Sequence, residues 1–320
     1  MAEADDVQAM TEQGKALLSG PEPQTFEALE LLNAAAHGTG GEAAAIVAVM
    51  AAAGAGTPQS WPNALDYLGR ATRLGWGPAQ AQMLILAGDR ALADRVRAGG
   101  ATDDEWRVLR RSVDIDAWLA PPPPGVLSQD PYVAAVEGFA RPDLCAALVE
   151  LSQGRLAPAR VYDSATGSAS VAQARSNSSI DFPLVDSSLL LMLIRAKIAV
   201  AAGAAIASLE PPSILHYAVG QQFAPHFDFL EPDERGLAAE LATKGQRTGT
   251  FLVYLNDDFD GGETDFPRLG VRFKGCAGDA IHFLNTDSSG APDRRTLHAG
   301  LAPSRGEKWL FSQWIRSASA

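Results

Sequence analysis

Four consecutive prolines, Pro121 to Pro124, followed by Gly125, divide this 320-residue chain into two stretches of different texture. Proline fixes φ and gives up its amide donor, so such a run continues neither a helix nor a central strand. It favours an extended, semi-rigid spacer. The domain boundary is therefore expected there, with residues 1–120 on one side, a linker at 121–129, and residues 130–320 on the other. The length alone allows two domains.

Upstream of the prolines, residues 26–53 and 62–87 carry apolar positions at helical spacing. The two segments match at an offset of 36: Ala28 with Ala64, Leu32 with Leu68, Ala35 with Ala71, Gly41 with Gly77. A period in this range predicts stacked helix–turn–helix units. The pattern resembles Sel1-like or tetratricopeptide repeats. An alanine-rich bundle with chance similarity is the alternative.

Downstream, residues 132–154 read as helical, 155–179 as polar strands and loops, and 184–207 as one long helix. From 214 onward short apolar runs alternate with turn signals. Strands are expected at 214–219, 223–229, 248–255, 271–273, 280–284, 296–298 and 309–315. Asp260-Gly261-Gly262 and Lys274-Gly275 mark turns between them. Short strands after helices predict an α+β chain, with a C-terminal jelly roll buttressed by helices and preceded by an all-α repeat domain.

The charge balance narrows the function. Thirty-eight acidic against 26 basic residues leave a net charge of −12, which argues against nucleic acid or anionic membrane as a partner. Two cysteines, Cys145 and Cys276, are too few for a disulfide framework and lack zinc-site spacing. The acidic N-terminus has no secretory signal, and Arg195 and Lys197 interrupt the apolar stretch 188–207, so no membrane span is expected. A reduced, cytoplasmic protein is the expectation.

Chemistry first shows at Pro225-His226-Phe227-Asp228. On a strand, positions i and i+2 share a face, so an imidazole and a carboxylate point the same way. A second imidazole from elsewhere would complete a two-His-one-carboxylate set, which caps one face of iron(II) and leaves positions open. Histidine and aspartate at this spacing are common by chance, so the support must come from further residues. It comes from Thr250-Phe-Leu-Val-Tyr254-Leu-Asn256, Gly261-Gly-Glu-Thr264-Asp-Phe-Pro267, His298 and Lys308, with Tyr217 nine residues before His226.

In these residues, their order and their spacing, residues 130–318 resemble the prolyl 4-hydroxylase family of 2-oxoglutarate oxygenases. The resemblance implies iron(II) held by His226, Asp228 and His298, with 2-oxoglutarate and O2 as cosubstrates and ascorbate as a further cofactor. It implies Lys308 as the cation for the distal carboxylate of 2-oxoglutarate, and Tyr217 and Thr250 as hydrogen-bond donors to it. Arg175 stands where the family has a substrate-entry arginine, and Trp314 matches an aromatic near the site, although core packing explains it equally well. Phe223 departs from the family, which often has tyrosine there. Asp228 is present, which favours hydroxylation over halogenation. His37 is expected at a helix end, His216 facing away from Tyr217, and His282 as a satisfied core histidine.

The resemblance points to a prolyl residue in a peptide or protein as substrate. Stacked helical repeats make grooves for extended peptides, which suits this reading. The alternatives are a hydroxylase of a free amino acid or small metabolite, and a repeat-based interaction protein with an inactive oxygenase domain.

Overall fold

The 36-residue offset in the sequence reappears as geometry. Helices Thr25–His37 and Gly41–Ala53 are followed by Trp61–Arg73 and Gly77–Leu86, each starting 36 residues after its counterpart. The computed structural model describes residues 2–20, 22–159, 161–163, 168–170, 175–231 and 237–318. Part of the stretch read as polar strands and loops, 155–179, therefore lies outside the described residues.

Local chemistry sets the helix boundaries. The Ser60 hydroxyl accepts from the Asn63 amide at 3.3 Å and Pro62 sits in the first turn, which starts Trp61–Arg73. Gly54, at φ 75°, ends Gly41–Ala53, its amide donating a hydrogen bond to the Met50 carbonyl. Arg70 donates to the Ala36 carbonyl, to that of His37 at 2.6 Å and to that of Gly38 at 3.3 Å. These acceptors lie at the negative pole of Thr25–His37, so Arg70 ties one repeat to the next. Gly41–Ala53 is buried on nearly every side, and its alanines let the neighbouring helices approach closely.

Packing divides the chain into two units: Met1–Ala120 with Phe182–Lys197, and Pro121–Asp181 with Ile198–Ala320. The second is a jelly roll built on two main antiparallel sheets, with two further two-stranded pairs among the described residues. The larger runs, edge to edge, Gly125–Gln129, Tyr132–Val136, Ala280–Leu284, Arg247–Tyr254, Lys308–Arg316, Ser213–Tyr217, Ser178–Asp181 and Ala157–Pro158. The smaller runs Val271–Phe273, Thr264–Phe266, His298–Gly300 and Phe223–His226. Between them lie Leu215, Tyr217, Leu252, Tyr254, Ile281, Phe283 and Leu310 from the larger sheet and Phe266 from the smaller.

The central strand Arg247–Tyr254 is buried on both faces from Gly249 onward. Leu252 and Tyr254 enter the core between the sheets, while Phe251 packs on Phe139 with ring centroids 4.7 Å apart. On that outer side helix Pro142–Ser152 brings the Cys145 thiol 3.9 Å from the Tyr254 carbonyl. Cover on both faces explains why this strand reads as a continuous apolar run without alternation.

Several boundaries differ from expectation. Residues 132–154 are not one helix: Tyr132–Val136 is a strand, and the helix starts with Pro142 in its first turn after Gly138 at φ 60°. The 121–129 linker ends in the strand Gly125–Gln129, paired to Tyr132–Val136. Residues 184–207 break into a short 3-10 turn, the helix Leu189–Ala202 and a second 3-10 turn, because Gly203 at φ 62° stops the helix. The strand at 223–229 stops at His226, and that at 296–298 is replaced by His298–Gly300. No described helix is long and apolar enough to cross a membrane.

Gly278 is the tightest junction in this unit. Its carbonyl accepts from the Ala140 amide at 2.9 Å and its amide donates to Tyr254 at 2.8 Å. Its φ is 95°, and a Cβ would collide with the Ala140 carbonyl. Gly278→Ala is expected to cost at least about 2 kcal/mol, read as a lower denaturant midpoint. An unchanged midpoint would refute this packing.

Candidate metal centre

Pairing of His298–Gly300 with Phe223–His226 sets His298 directly across from His226, with ring centroids 4.3 Å apart. Asp228 comes two residues after His226, just past the end of its strand. His226 Nε2 lies 3.5 Å from Asp228 Oδ1, and His298 Nε2 lies 3.5 Å from Oδ2. One ligand atom from each residue falls within 4.8 Å of the others, the only such cluster among the described residues.

The protons can be placed by elimination. His226 Nδ1 is 2.8 Å from the Ala224 carbonyl, and His298 Nδ1 is 3.0 Å from that of Thr296. A carbonyl only accepts, so each Nδ1 carries the proton and each neutral ring turns the lone pair of Nε2 inward. Desolvation, with His298 nearby, holds the His226 imidazole below its usual range, which favours the neutral form. Lone pairs of two nitrogens and a carboxylate thus face one another in a buried space. That arrangement suits a bound divalent cation, and nitrogen with oxygen donors suits iron(II).

Asp228 is held from the larger sheet. The Thr250 hydroxyl donates to Oδ2 at 2.7 Å, and Asn285 Nδ2 donates to Thr250 at 3.0 Å. Thr250 therefore does not take its expected place at a cosubstrate carboxylate, because its single proton is committed to Asp228.

Lys308 lies deeper in the core. It pairs across strands with Tyr217 and is fully buried. Its Nζ has no hydrogen-bond partner among the described residues, and lies 5.0 Å from the Tyr217 ring and 5.4 Å from the Tyr254 ring. Gly262, at φ 71°, makes room: a Cβ there would press on the Phe259 ring and sit 3.3 Å from Lys308 Cδ. Desolvation pulls the ammonium down to about 7, with Glu263 opposing. Burial pushes the Tyr217 hydroxyl up to about 12, so it stays a donor. The Tyr254 hydroxyl donates to the Phe273 carbonyl at 3.0 Å and meets the Thr264 hydroxyl at 2.9 Å. A buried ammonium beside two tyrosine rings, with no partner among the described residues, fits an entering carboxylate such as the distal end of 2-oxoglutarate.

Thr264, Tyr254 and Asn285 carry roles that sequence reasoning did not assign. Thr264 alternates with Phe266 on the core face of its strand, a period-2 signal visible in the sequence. Asn285 has no comparable signal.

Toward solvent, Phe223 stacks on His226 at 3.4 Å and 11°, and the Arg175 guanidinium covers the other side of Phe223 at 4.5 Å. Arg175 also donates to Asn177 at 3.1 Å. Trp314 is half-buried and carries Arg247 over its ring at 3.5 Å. Arg175, Phe223, His226, Asp228 and Trp314 line a cleft of about 940 Å³. Trp314 is thus a cleft wall and not core packing.

The remaining histidines lie apart. The His37 ring donates to Asn33 at a helix end, and His216 meets Glu307 at 3.0 Å and packs on Trp309. His282 is buried against Phe251 and Tyr132, as expected, but its Nε2 has no partner among the described residues. It is a core histidine that is not satisfied.

Residues 212–316 match the model of the 2OG-Fe(II) oxygenase superfamily. Prolyl 4-hydroxylase 1 of Arabidopsis thaliana is 30% identical over 207 residues, covering 60% of this chain and 71% of that protein. Prolyl 4-hydroxylase subunit alpha-1 of Rattus norvegicus is 33% identical over 171 residues, covering 52% of this chain and only 31% of its own length. The viral collagen prolyl hydroxylase of Paramecium Bursaria Chlorella virus-1, solved with 2-oxoglutarate, aligns over 60% of this chain and 99% of its own with 25% identity and a TM-score of 0.46.

Lys308→Met keeps the stem and removes the orphaned charge. The substitution is expected to raise the melting temperature of the ligand-free protein and to weaken 2-oxoglutarate binding at least about 30-fold. In the wild type, Lys308 is already protonated below about pH 7. Above that it must take up a proton on binding, so the apparent Kd for 2-oxoglutarate should rise about tenfold per pH unit. Titration calorimetry across pH 6–9 checks both; a flat Kd would sink the assignment.

Proposed function

The chain belongs to the prolyl 4-hydroxylase family of 2-oxoglutarate–iron(II) oxygenases, and we propose that it hydroxylates a prolyl residue within a peptide or protein. The observation that carries the chemistry is the pairing of an inward-facing lone-pair triad with an unpartnered buried ammonium. The chain is a 2-oxoglutarate-dependent dioxygenase. One C–H bond, O2 and 2-oxoglutarate become an alcohol, succinate and carbon dioxide.

Iron(II), when bound, supplies the coupling between cosubstrate decarboxylation and oxygen insertion. His226, Asp228 and His298 would hold it, the imidazoles neutral and the carboxylate ionised. Lys308 would draw in the distal carboxylate of 2-oxoglutarate, with the Tyr217 hydroxyl donating to it. Burial of these groups excludes water and strengthens each contact. Arg175 and Trp314 would receive the substrate, the face of the indole away from Arg247 against a prolyl ring and the guanidinium toward a peptide carbonyl, with Phe223 bracing Arg175 over His226.

A cleft of about 940 Å³ beside His226 is larger than a free amino acid needs and suits an extended peptide. Residues 1–120 would form the repeat domain that reads that peptide. Ascorbate would keep the iron reduced. A cytoplasmic setting agrees with two free cysteines, Cys145 buried and Cys276 exposed.

The test is iron- and oxygen-dependent succinate release with proline-containing peptides, free proline or no substrate, beside His226→Ala. Peptide-stimulated succinate with an oxygen-bearing peptide product, lost in the mutant, is the expected result. Turnover of free proline alone would replace the peptide reading by the small-metabolite one, and no turnover with no bound iron would reject an active oxygenase.

A further inference from the structure

We propose that Thr250 and Asn285 are a positioning pair that restricts Asp228 to coordination through one oxygen, leaving the rest of the metal's face to cosubstrate and O2. This inference rests on the metal-centre reading above.

Asp228 needs such a device because its own backbone does not hold it. The ladder from the smaller sheet ends at His226, so Asp228 stands outside the strand that fixes its neighbouring ligand. Thr250 is the opposite case. It sits on the central strand of the larger sheet, paired to Phe283 on one side and Trp314 on the other. Its hydroxyl is a fixed reference point, and it reaches Asp228 Oδ2 at 2.7 Å.

The direction of the chain is forced. Three oxygens cannot share the one proton of a threonine hydroxyl. Asp228 is an acceptor, so Thr250 gives its proton there and must itself accept from its other neighbour. Asn285 therefore turns its nitrogen to Thr250, at 3.0 Å, and not its oxygen. The Asn285 oxygen is left buried with no hydrogen-bond partner among the described residues. Thr250 and Asn285 are both inaccessible to solvent, so water does not compete for these bonds.

The consequence follows from counting positions. A six-coordinate metal with three protein ligands keeps three for a chelating 2-oxo acid and O2. A second oxygen from Asp228 would take one of them. A hydrogen bond on Oδ2 occupies one of its two lone pairs and sets the carboxylate plane, which makes Oδ1 the better donor to a metal.

Cobalt(II) titration of the full chain tests this without turnover, because its visible absorption reports coordination number and its competition with a chelator reports affinity. Thr250→Val, which keeps the shape, should bind cobalt about 10–100-fold more weakly with an altered spectrum. Thr250→Ser should restore both toward wild type. Asn285→Leu should fall between them, since Thr250 keeps its proton but loses its orientation. Thr250→Val with wild-type affinity and spectrum would overturn the pair's role. So would equal losses in the valine and serine variants, which would make packing the cause. A wild-type chain that binds no cobalt would instead overturn the metal-centre reading, and the pair with it.

Discussion

Two backbone carbonyls decide what this core can contain. Ala224 and Thr296 each claim the Nδ1 proton of a histidine, and so each leaves a bare nitrogen lone pair pointing at the Asp228 carboxylate. Acceptors facing acceptors in a buried space repel. At the other end of the same core the imbalance is reversed: Lys308 offers three donors and meets no acceptor among the described residues. One end suits a cation and the other an anion, and a metal-bound dicarboxylate would suit both at once.

The two sheets divide this work. The smaller supplies both imidazoles and Thr264; the larger supplies Lys308, Tyr217, Tyr254 and Thr250. Register does the placing. His298 faces His226, and Lys308 faces Tyr217, as direct cross-strand partners. A slip of one residue in either pair would turn these side chains out of the core, so the apolar pattern that fixes register also fixes the chemistry. Phe266 and Phe283, in edge-to-face contact at 5.0 Å, fill the space beside His298 and keep it dry.

Much of this was legible in the sequence, for physical reasons that differ by element. The helical pairs could be read because their spacing and small residues recur at a fixed offset, with Gly41 and Gly77 opening equivalent helices. His226, Asp228 and His298 could be read because few residue types bind a metal, and the motif fixed their order. Thr250 and Thr264 could not be told apart. Both alternate onto the core face of a strand, and which one meets Asp228 depends on how the two sheets stack, which neither strand encodes alone. Tyr132–Val136 reads as helix because its alanines suit one, yet pairing with Gly125–Gln129 and Ala280–Leu284 overrides that preference.

The metal centre also bears on the stability of the sandwich. His226 and His298 belong to the smaller sheet, while Asp228, just past the strand end, is tied through Thr250 to the larger one. A cation bound by all three would therefore link the two sheets through a buried chain of contacts. Binding free energy at such a site is also folding free energy, because the unfolded chain has no preformed set of ligands. A cation held this way would tie metal binding to the stacking of the two sheets, so that ligand geometry and sheet packing stand or fall together.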